Sequence, residues 1–311
     1  MRETLTPYPF TATESRKTIE DATIQRAKEL FAMPVFETNN QEELLSSFHT
    51  YYTFANMLFN EEEELRNSGT NGANLYYHGR QHAVQQVTYD AISIAKAIIQ
   101  RNDSFSSHLS AEGTISILLG AMYHDAGYVN GGPVENYSAR TPIHVDESIK
   151  ELHSHLNLLG LPGVDVQKVA FLGEIGIHGT HFPYTENRLA EFVKLTSDRS
   201  PNDKKEAQIV RLSVQLADLG GQCARVDYFP DQVKALRAEM NETSAGLGTA
   251  IIGADHELAA NCEFFLSNCV GHNPPPKRNV ETTAIAFFGA NESKPFRDAI
   301  FRIGEHNFDP K

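Results

Sequence analysis

Two short groups of residues in the first half of the chain could carry chemistry. His78 and His82 lie four positions apart, a spacing that predicts two side chains on one face of a helix, one turn apart. His124 and Asp125 are adjacent and follow the apolar run 115–123, which predicts a buried helix end facing a loop. Imidazole nitrogens and carboxylate oxygens are the donors that proteins use to hold zinc, manganese, iron or nickel.

Two further groups lie later in the chain. His178 and His181 stand at another predicted helix end, and Asp218 interrupts the apolar stretch Leu-Ala-Asp-Leu. Taken singly, such a histidine is more often structural, and a buried aspartate can cap a neighbouring helix. Taken with the earlier groups, they place charged or ligating residues on several apolar helices, and a buried charge without compensation is costly. A divalent cation would supply that compensation, and a bridging carboxylate would allow a second ion.

The elements that must position these residues are predicted to be helices. Ser110, followed by Glu112 and an apolar run, marks one helix start. Alternating strand patterns are scarce, so the predicted fold class is all-α. The stretch 126–143 is predicted to be a long loop. Besides the helix after Ser110, helical periodicity predicts helices at 41–66, 78–101, 144–160, 164–178, 186–196, 202–219, 229–243, 252–271 and 293–303.

The chain is predicted to contain one main domain with two flanking segments. We expect an N-terminal extension at 1–40, the domain at 41–272 and a C-terminal appendage at 273–311 that packs on the same domain. The Gly-His-Asn-Pro-Pro-Pro stretch at 271–276 is the composition break that separates the last two.

Composition restricts the possible partners. The 311 residues include 27 basic and 40 acidic ones, for a net charge of −13, which argues against a general binder of polymeric nucleic acid or membrane surfaces. The three cysteines form no C-x-x-C pair, and neither a signal peptide nor an apolar run of membrane-spanning length is visible. These features predict a cytoplasmic protein without a disulfide framework. The sequence leaves a homodimer open.

The order of the chemical groups resembles a known superfamily. The pattern His, His-Asp, Asp at His82, His124, Asp125 and Asp218 is similar to that of the HD-domain superfamily of metal-dependent phosphohydrolases, which includes the cyclic-nucleotide phosphodiesterases. The flanks agree, with Tyr-His-x-x-x-His first and Ala-Asp-Leu last. The resemblance covers roughly residues 45–272, and the chain looks like a member of a bacterial-type subgroup. The resemblance implies a helical bundle around a buried metal site.

The resemblance also implies roles for individual residues. His82, His124, Asp125 and Asp218 would bind a first metal ion, and Asp125 would bridge to a second, the ions being drawn from manganese, zinc, iron and magnesium. His78 matches the histidine that protonates the leaving oxygen in phosphodiesterases. The expected catalytic residues are therefore His78 and Asp125, in the metal-assisted hydrolysis of a phosphoester.

The implied substrate is a small phosphorylated molecule, most plausibly a nucleotide. Four further side chains are candidates for contacting it: Arg80, Arg140, His178 and His181. The Ser-Gln-x-x-Phe segment with which vertebrate-type phosphodiesterases hold a purine is not present, so the particular phosphoester stays open.

Two other functions fit the same residues. One is an HD-type di-iron oxygenase, which would use additional histidine ligands; the other is a non-catalytic HD module that binds a ligand. His78, one turn before a ligand, suits hydrolysis better than oxygenation, and degenerate modules usually lose one of the His-Asp positions that this chain keeps. Besides His178 and His181, the extra ligand candidates are His144, Glu147, His153 and His155.

Overall fold

The computed structural model of the chain describes six stretches: residues 16–36, 40–67, 78–101, 106–130, 137–180 and 186–220. Every regular element within them is helical, which confirms the all-α prediction. The α-helices are α1 Arg16–Phe31, α2 Gln41–Asn67, α3 Val87–Arg101, α4 Ala111–Tyr123, α5 Ala126–Asn130, α6 Tyr137–Leu159, α7 Val166–Gly179, α8 Glu186–Leu195 and α9 Pro201–Gln215. Two π-helical turns, Gln81–Gln86 and Leu216–Gly220, adjoin α3 and α9, and Ser106–His108 is a short 3-10 turn.

The described helices include none with the length and apolarity needed to cross a membrane. The helices predicted at 229–243, 252–271 and 293–303, and the predicted appendage at 273–311, lie outside the described residues.

Helix starts follow local capping chemistry. Ser110 precedes α4, and its hydroxyl accepts a hydrogen bond from the Gly113 N–H at 3.2 Å. Asp165 caps α7 in the same way, and Ser200 caps α9, where Pro201 occupies the first helical position. Such side chains satisfy backbone donors that the first helical turn leaves without a partner. The start predicted at Ser110 is confirmed.

Helix α4 is the centre of the fold, and all its residues from Gly113 to Tyr123 are buried. It packs against α3, α6, α7 and α9. Helices α4, α7 and α9 approach one another closely, because a methyl group at Gly120 or Gly176 would lie 3.2 or 2.9 Å from Val214 Cγ2. These glycines let the backbones come together, so the end of α9 lies beside the end of α4.

Helix α1 packs on the same core, although it falls within the segment predicted as an N-terminal extension. Leu30 and Phe31 are buried. The Phe31 ring makes edge-to-face contacts with Phe36 and Phe48, with ring centroids 5.0 and 6.0 Å apart, which ties α1 to α2.

A partly buried polar cluster joins the beginnings of α4 and α7 to α9. Glu206 accepts hydrogen bonds from the Ser110 N–H at 2.9 Å and from its hydroxyl at 2.5 Å. Lys168 Nζ lies 2.9 Å from Glu206 Oε2 and donates to Ser110 Oγ at 3.0 Å. The cluster fixes three helices relative to one another.

Two expectations about local structure are wrong. The loop predicted at 126–143 contains α5, and α6 begins at Tyr137 rather than at 144. The helical conformation continues through Thr141 and Pro142, although a proline often ends a helix at the preceding residue. The helix predicted from 78 instead has its first residues, His78 and Gly79, in a bend before the π-helical turn.

Candidate metal centre

Four side chains from three parts of the bundle converge in the interior. His82 Nε2 lies 3.2 Å from Asp218 Oδ1 and 3.8 Å from Asp125 Oδ2. His124 Nε2 lies 3.1 Å from Asp125 Oδ2 and 3.6 Å from Asp218 Oδ1. All four residues are buried. Ligand atoms of His82, His124 and Asp218 lie within 4.8 Å of one another, so this group could hold a metal ion.

Two of the four donors lie in π-helical turns, where the backbone departs from a regular α-helix. His82 lies in the π-helical turn Gln81–Gln86 and Asp218 in the turn Leu216–Gly220. In the first of these, the Val87 N–H bonds to the His82 carbonyl, five residues back. Single π-helical turns occur preferentially at functional sites, because they redirect side chains within an otherwise regular helix.

The His124 ring is oriented by its own helix. Its Nδ1 lies 2.7 Å from the carbonyl oxygen of Ala121, and because a carbonyl only accepts, Nδ1 must be the donor there. The contact therefore directs Nε2 toward Asp125 and Asp218. Metal-binding histidines are commonly held by such a hydrogen bond from the other ring nitrogen.

Helix α6 holds the turn between α4 and α5. The Ser148 hydroxyl accepts a hydrogen bond from the Gly127 N–H and donates one to the His124 carbonyl, both at 2.8 Å. Ser148 is fully buried. A side chain at Gly127 would collide with the backbone carbonyl of His144, so only glycine permits this approach. The turn that carries His124 and Asp125 is thus supported from outside.

Burial and charge act in opposition on the four donors. Burial lowers the pKa of His82, and the nearby carboxylates of Asp218 and Asp125 only partly offset this effect. Burial also disfavours a charged His124, but the two carboxylates outweigh it and raise the His124 pKa well above its usual range. Burial would raise the pKa of both Asp125 and Asp218, yet the positive charge of His124 lowers both.

The donors fit a bound cation. The positive charge of His124 can balance only one of the two buried carboxylates, so a further positive charge must face them. His124 Nε2 and Asp125 Oδ2 are both buried, and within the part of the chain that the structure describes their contact at 3.1 Å lacks the geometry of a hydrogen bond. Buried nitrogen and oxygen atoms that lie close together are the kind of donor set that a divalent cation requires.

His78 lies beside this group but not as predicted. Its ring centroid is 6.3 Å from that of His82 in an edge-to-face arrangement, and the residue precedes the helical segment rather than sharing a helix face with His82. The His78 ring stacks on Tyr128 with centroids 4.3 Å apart, and Tyr128 stacks on His144 at 4.2 Å. Sequence reasoning missed Tyr128, because nothing in its local pattern marks it.

Two of the residues predicted to contact the substrate phosphate, Arg80 and His178, have other contacts in the structure. Arg80 is half-buried and donates a hydrogen bond to the Asn60 side chain. His178 stands in the last turn of α7, where its Nε2 lies 3.8 Å from Glu174, and it does not belong to the three-residue ligand group. The Arg140 side chain and His181 lie outside the described residues.

The additional ligand candidates also have other neighbours. His153 lies 3.8 Å from Glu174, and the His155 ring nitrogen lies 2.6 Å from the Tyr123 hydroxyl. Glu147 pairs with the adjacent Lys150 on the surface. His144, the remaining candidate, is the end of the ring stack.

Comparison with known proteins adds no assignment: no protein-family model matches the chain, and no curated protein matches it significantly. The described residues by themselves form an all-helical fold with a buried His, His, Asp group that could hold a metal ion.

Proposed function

We propose that this chain is a metal-dependent phosphohydrolase of the HD type that acts on a small phosphorylated substrate, a nucleotide being the best candidate. The observation that carries the proposal is the convergence of His82, His124, Asp125 and Asp218 in one buried group. The sequence pattern and its resemblance to the HD superfamily point to these four residues, and they lie together in the folded chain.

The four donors would hold the first ion, and Asp125 would bridge to a second. A divalent cation held there would supply an activated water and positive charge for the phosphoryl oxygens; manganese, zinc, iron and magnesium all suit the donor set. Asp125 and Asp218 supply the negative charge that retains the cation. Burial lowers the pKa of His82, which favours the neutral ring that a metal-binding histidine must have.

His78 is the proposed proton donor to the leaving oxygen. Its ring is half-buried and lies beside His82, so it can reach a phosphoester placed at the centre without being a ligand itself. Burial raises the pKa of Asp125, and a positive charge on His78 is, after that of His124, one of the contributions that lower it. General acids of this kind typically contribute about 10²–10⁴-fold to the rate.

The surroundings favour hydrolysis over oxygenation. A di-iron oxygenase of this superfamily would need further histidine ligands, and in the described residues His153 and His155 lie against Glu174 and Tyr123 instead. The net charge of −13 argues against a polymeric nucleic acid as substrate and leaves a small phosphoester, whose charge the cation would balance.

A mutational test separates the roles of two residues. Asp125→Ala should lose bound metal and turnover together. His78→Ala should retain metal, measured by elemental analysis, and lose about 10²-fold or more in rate. Asp146→Ala, which alters an exposed carboxylate on α6, is the matched control. A His78→Ala chain with an undiminished rate would remove the proton-donor role.

The substrate test is a screen of the manganese-loaded chain. Cyclic nucleotides, nucleoside monophosphates and dinucleotides would be assayed with and without oxygen. Phosphate or nucleotide release that does not depend on oxygen supports the hydrolase. Tight nucleotide binding without release would instead favour a ligand-binding module.

A further inference from the structure

We propose that Tyr128 and His144 are positioning residues that hold the His78 ring in its working orientation at the metal centre. This inference rests on the proposed function, because it assumes that His78 donates a proton to the leaving oxygen. It adds two residues to the site, neither of which belongs to the three-residue ligand group.

The three rings form a continuous stack. The planes of His78 and Tyr128 are inclined by 23° with centroids 4.3 Å apart, and those of Tyr128 and His144 by 20° at 4.2 Å. Tyr128 and His144 are buried, with 3% and 5% of their surface exposed. A ring held between two others in the interior has little freedom to tilt.

The far end of the stack is fixed by the same helix that supports the ligand turn. His144 and Ser148 lie four residues apart on α6 and therefore share one helix face. Ser148 bonds to the turn that carries His124, and the His144 carbonyl abuts Gly127. The Tyr128 ring, one residue further, thus has a defined position relative to both the ligands and His78.

The stack matters because of where His78 lies in the chain. It precedes the first helical turn, in a bend, so helical backbone does not set its direction. His124, by contrast, is aligned by the Ala121 carbonyl. For a proton donor, small errors of placement are costly: displacements of about 1 Å can reduce a rate by about 10²-fold.

The kinetic test removes the middle ring. In the manganese-loaded full chain, Tyr128→Leu should lower kcat by about tenfold or more, with KM changed less than twofold and metal content unchanged. Tyr128→Phe, which keeps the ring, should recover most of the rate. Phe171→Leu, which removes a distant ring under Arg199, is the matched control and should leave kcat unchanged.

A double-mutant comparison asks whether the stack acts through His78. In the His78→Ala background, Tyr128→Leu should cause no further loss of kcat. Additive losses would overturn the inference.

The other end of the stack is tested at His144. His144→Phe, which preserves stacking, should have a kcat like that of Tyr128→Phe, whereas His144→Ala should have a kcat like that of Tyr128→Leu. A higher kcat for His144→Ala than for His144→Phe would also overturn the inference.

A spectroscopic readout is independent of activity. Stacking on Tyr128 should shift the His78 ring protons upfield in the NMR spectrum of the full chain, and Tyr128→Leu should remove that shift while the His49 signals stay unchanged. If His78 signals are the same in both proteins, the stack does not orient it. If the shift is found but the wild type hydrolyses no phosphoester, the proposed function fails and the stacking geometry stands.

Discussion

Replacing Ser148 by alanine should both destabilise the protein and weaken its metal binding. The substitution deletes a buried hydroxyl that joins the Gly127 N–H to the His124 carbonyl, each at 2.8 Å. Both backbone groups belong to buried residues, so water cannot readily replace the hydroxyl. Each buried polar group left without a partner costs about 1–3 kcal/mol, and the two together give about 2–6 kcal/mol. Against a typical free energy of unfolding of about 5–15 kcal/mol, that is a large loss.

The expected loss of metal affinity follows from the position of Ser148 beside the turn that carries two of the ligands. The two hydrogen bonds hold the turn that carries His124 and Asp125, and loss of such outer contacts typically weakens metal affinity by about 10–100-fold. Urea unfolding would give the change in free energy, and manganese titration the change in affinity. Ser197→Ala, which removes an exposed hydroxyl bonded to a backbone carbonyl, is the control. A loss below about 0.5 kcal/mol for Ser148→Ala, with unaltered manganese affinity, would refute the reasoning.

Three further predictions concern packing, charge and the ligands. Gly176→Ala should cost about 1–3 kcal/mol in urea unfolding, because the added methyl lies 2.9 Å from Val214 Cγ2. Val214→Ala in the same chain should recover part of that loss, and no recovery would contradict the steric explanation. Glu206→Gln should cost about 1.5–3 kcal/mol, since it removes the charge facing Lys168, and rising salt should reduce this difference only weakly because Glu206 is buried. Manganese at 100 times its Kd should stabilise the wild type by about 2.7 kcal/mol and raise its Tm, whereas Asp218→Ala should show no manganese-dependent rise; an equal rise in both would exclude Asp218 as a ligand.

Features with local causes could be predicted from the sequence. Helix α4 begins after Ser110 because that side chain caps it, and an apolar run fills the helix, so both signals lie within one segment. The four donors were predictable because their types are unusual in apolar surroundings and require compensation. In the structure their imidazole nitrogens and carboxylate oxygens lie 3.1–3.2 Å apart at the shortest contacts.

Features with non-local causes could not be predicted. The stack of Tyr128 on His144 depends on how α5 packs against α6, and no periodic pattern connects the two residues. The segment 126–143 contains glycine and proline signals typical of a loop, yet α5 forms at its beginning, where the Ser148 hydroxyl binds the Gly127 N–H. The four-residue spacing predicts that His78 and His82 share a helix face, but this holds only if one helix extends over both residues. The helix begins after His78, so the prediction is wrong.

The two π-helical turns make the site sensitive to the length of the chain as well as to its composition. Each such turn is equivalent to one residue inserted into an α-helix, and one residue of an α-helix corresponds to about 100° of rotation. Deleting a single residue from Gln81–Gln86 or from Leu216–Gly220 would restore regular helix and turn His82 or Asp218 away from its partners. A relative of this chain that keeps every ligand but lacks one of these extra residues would therefore have lost the cation site.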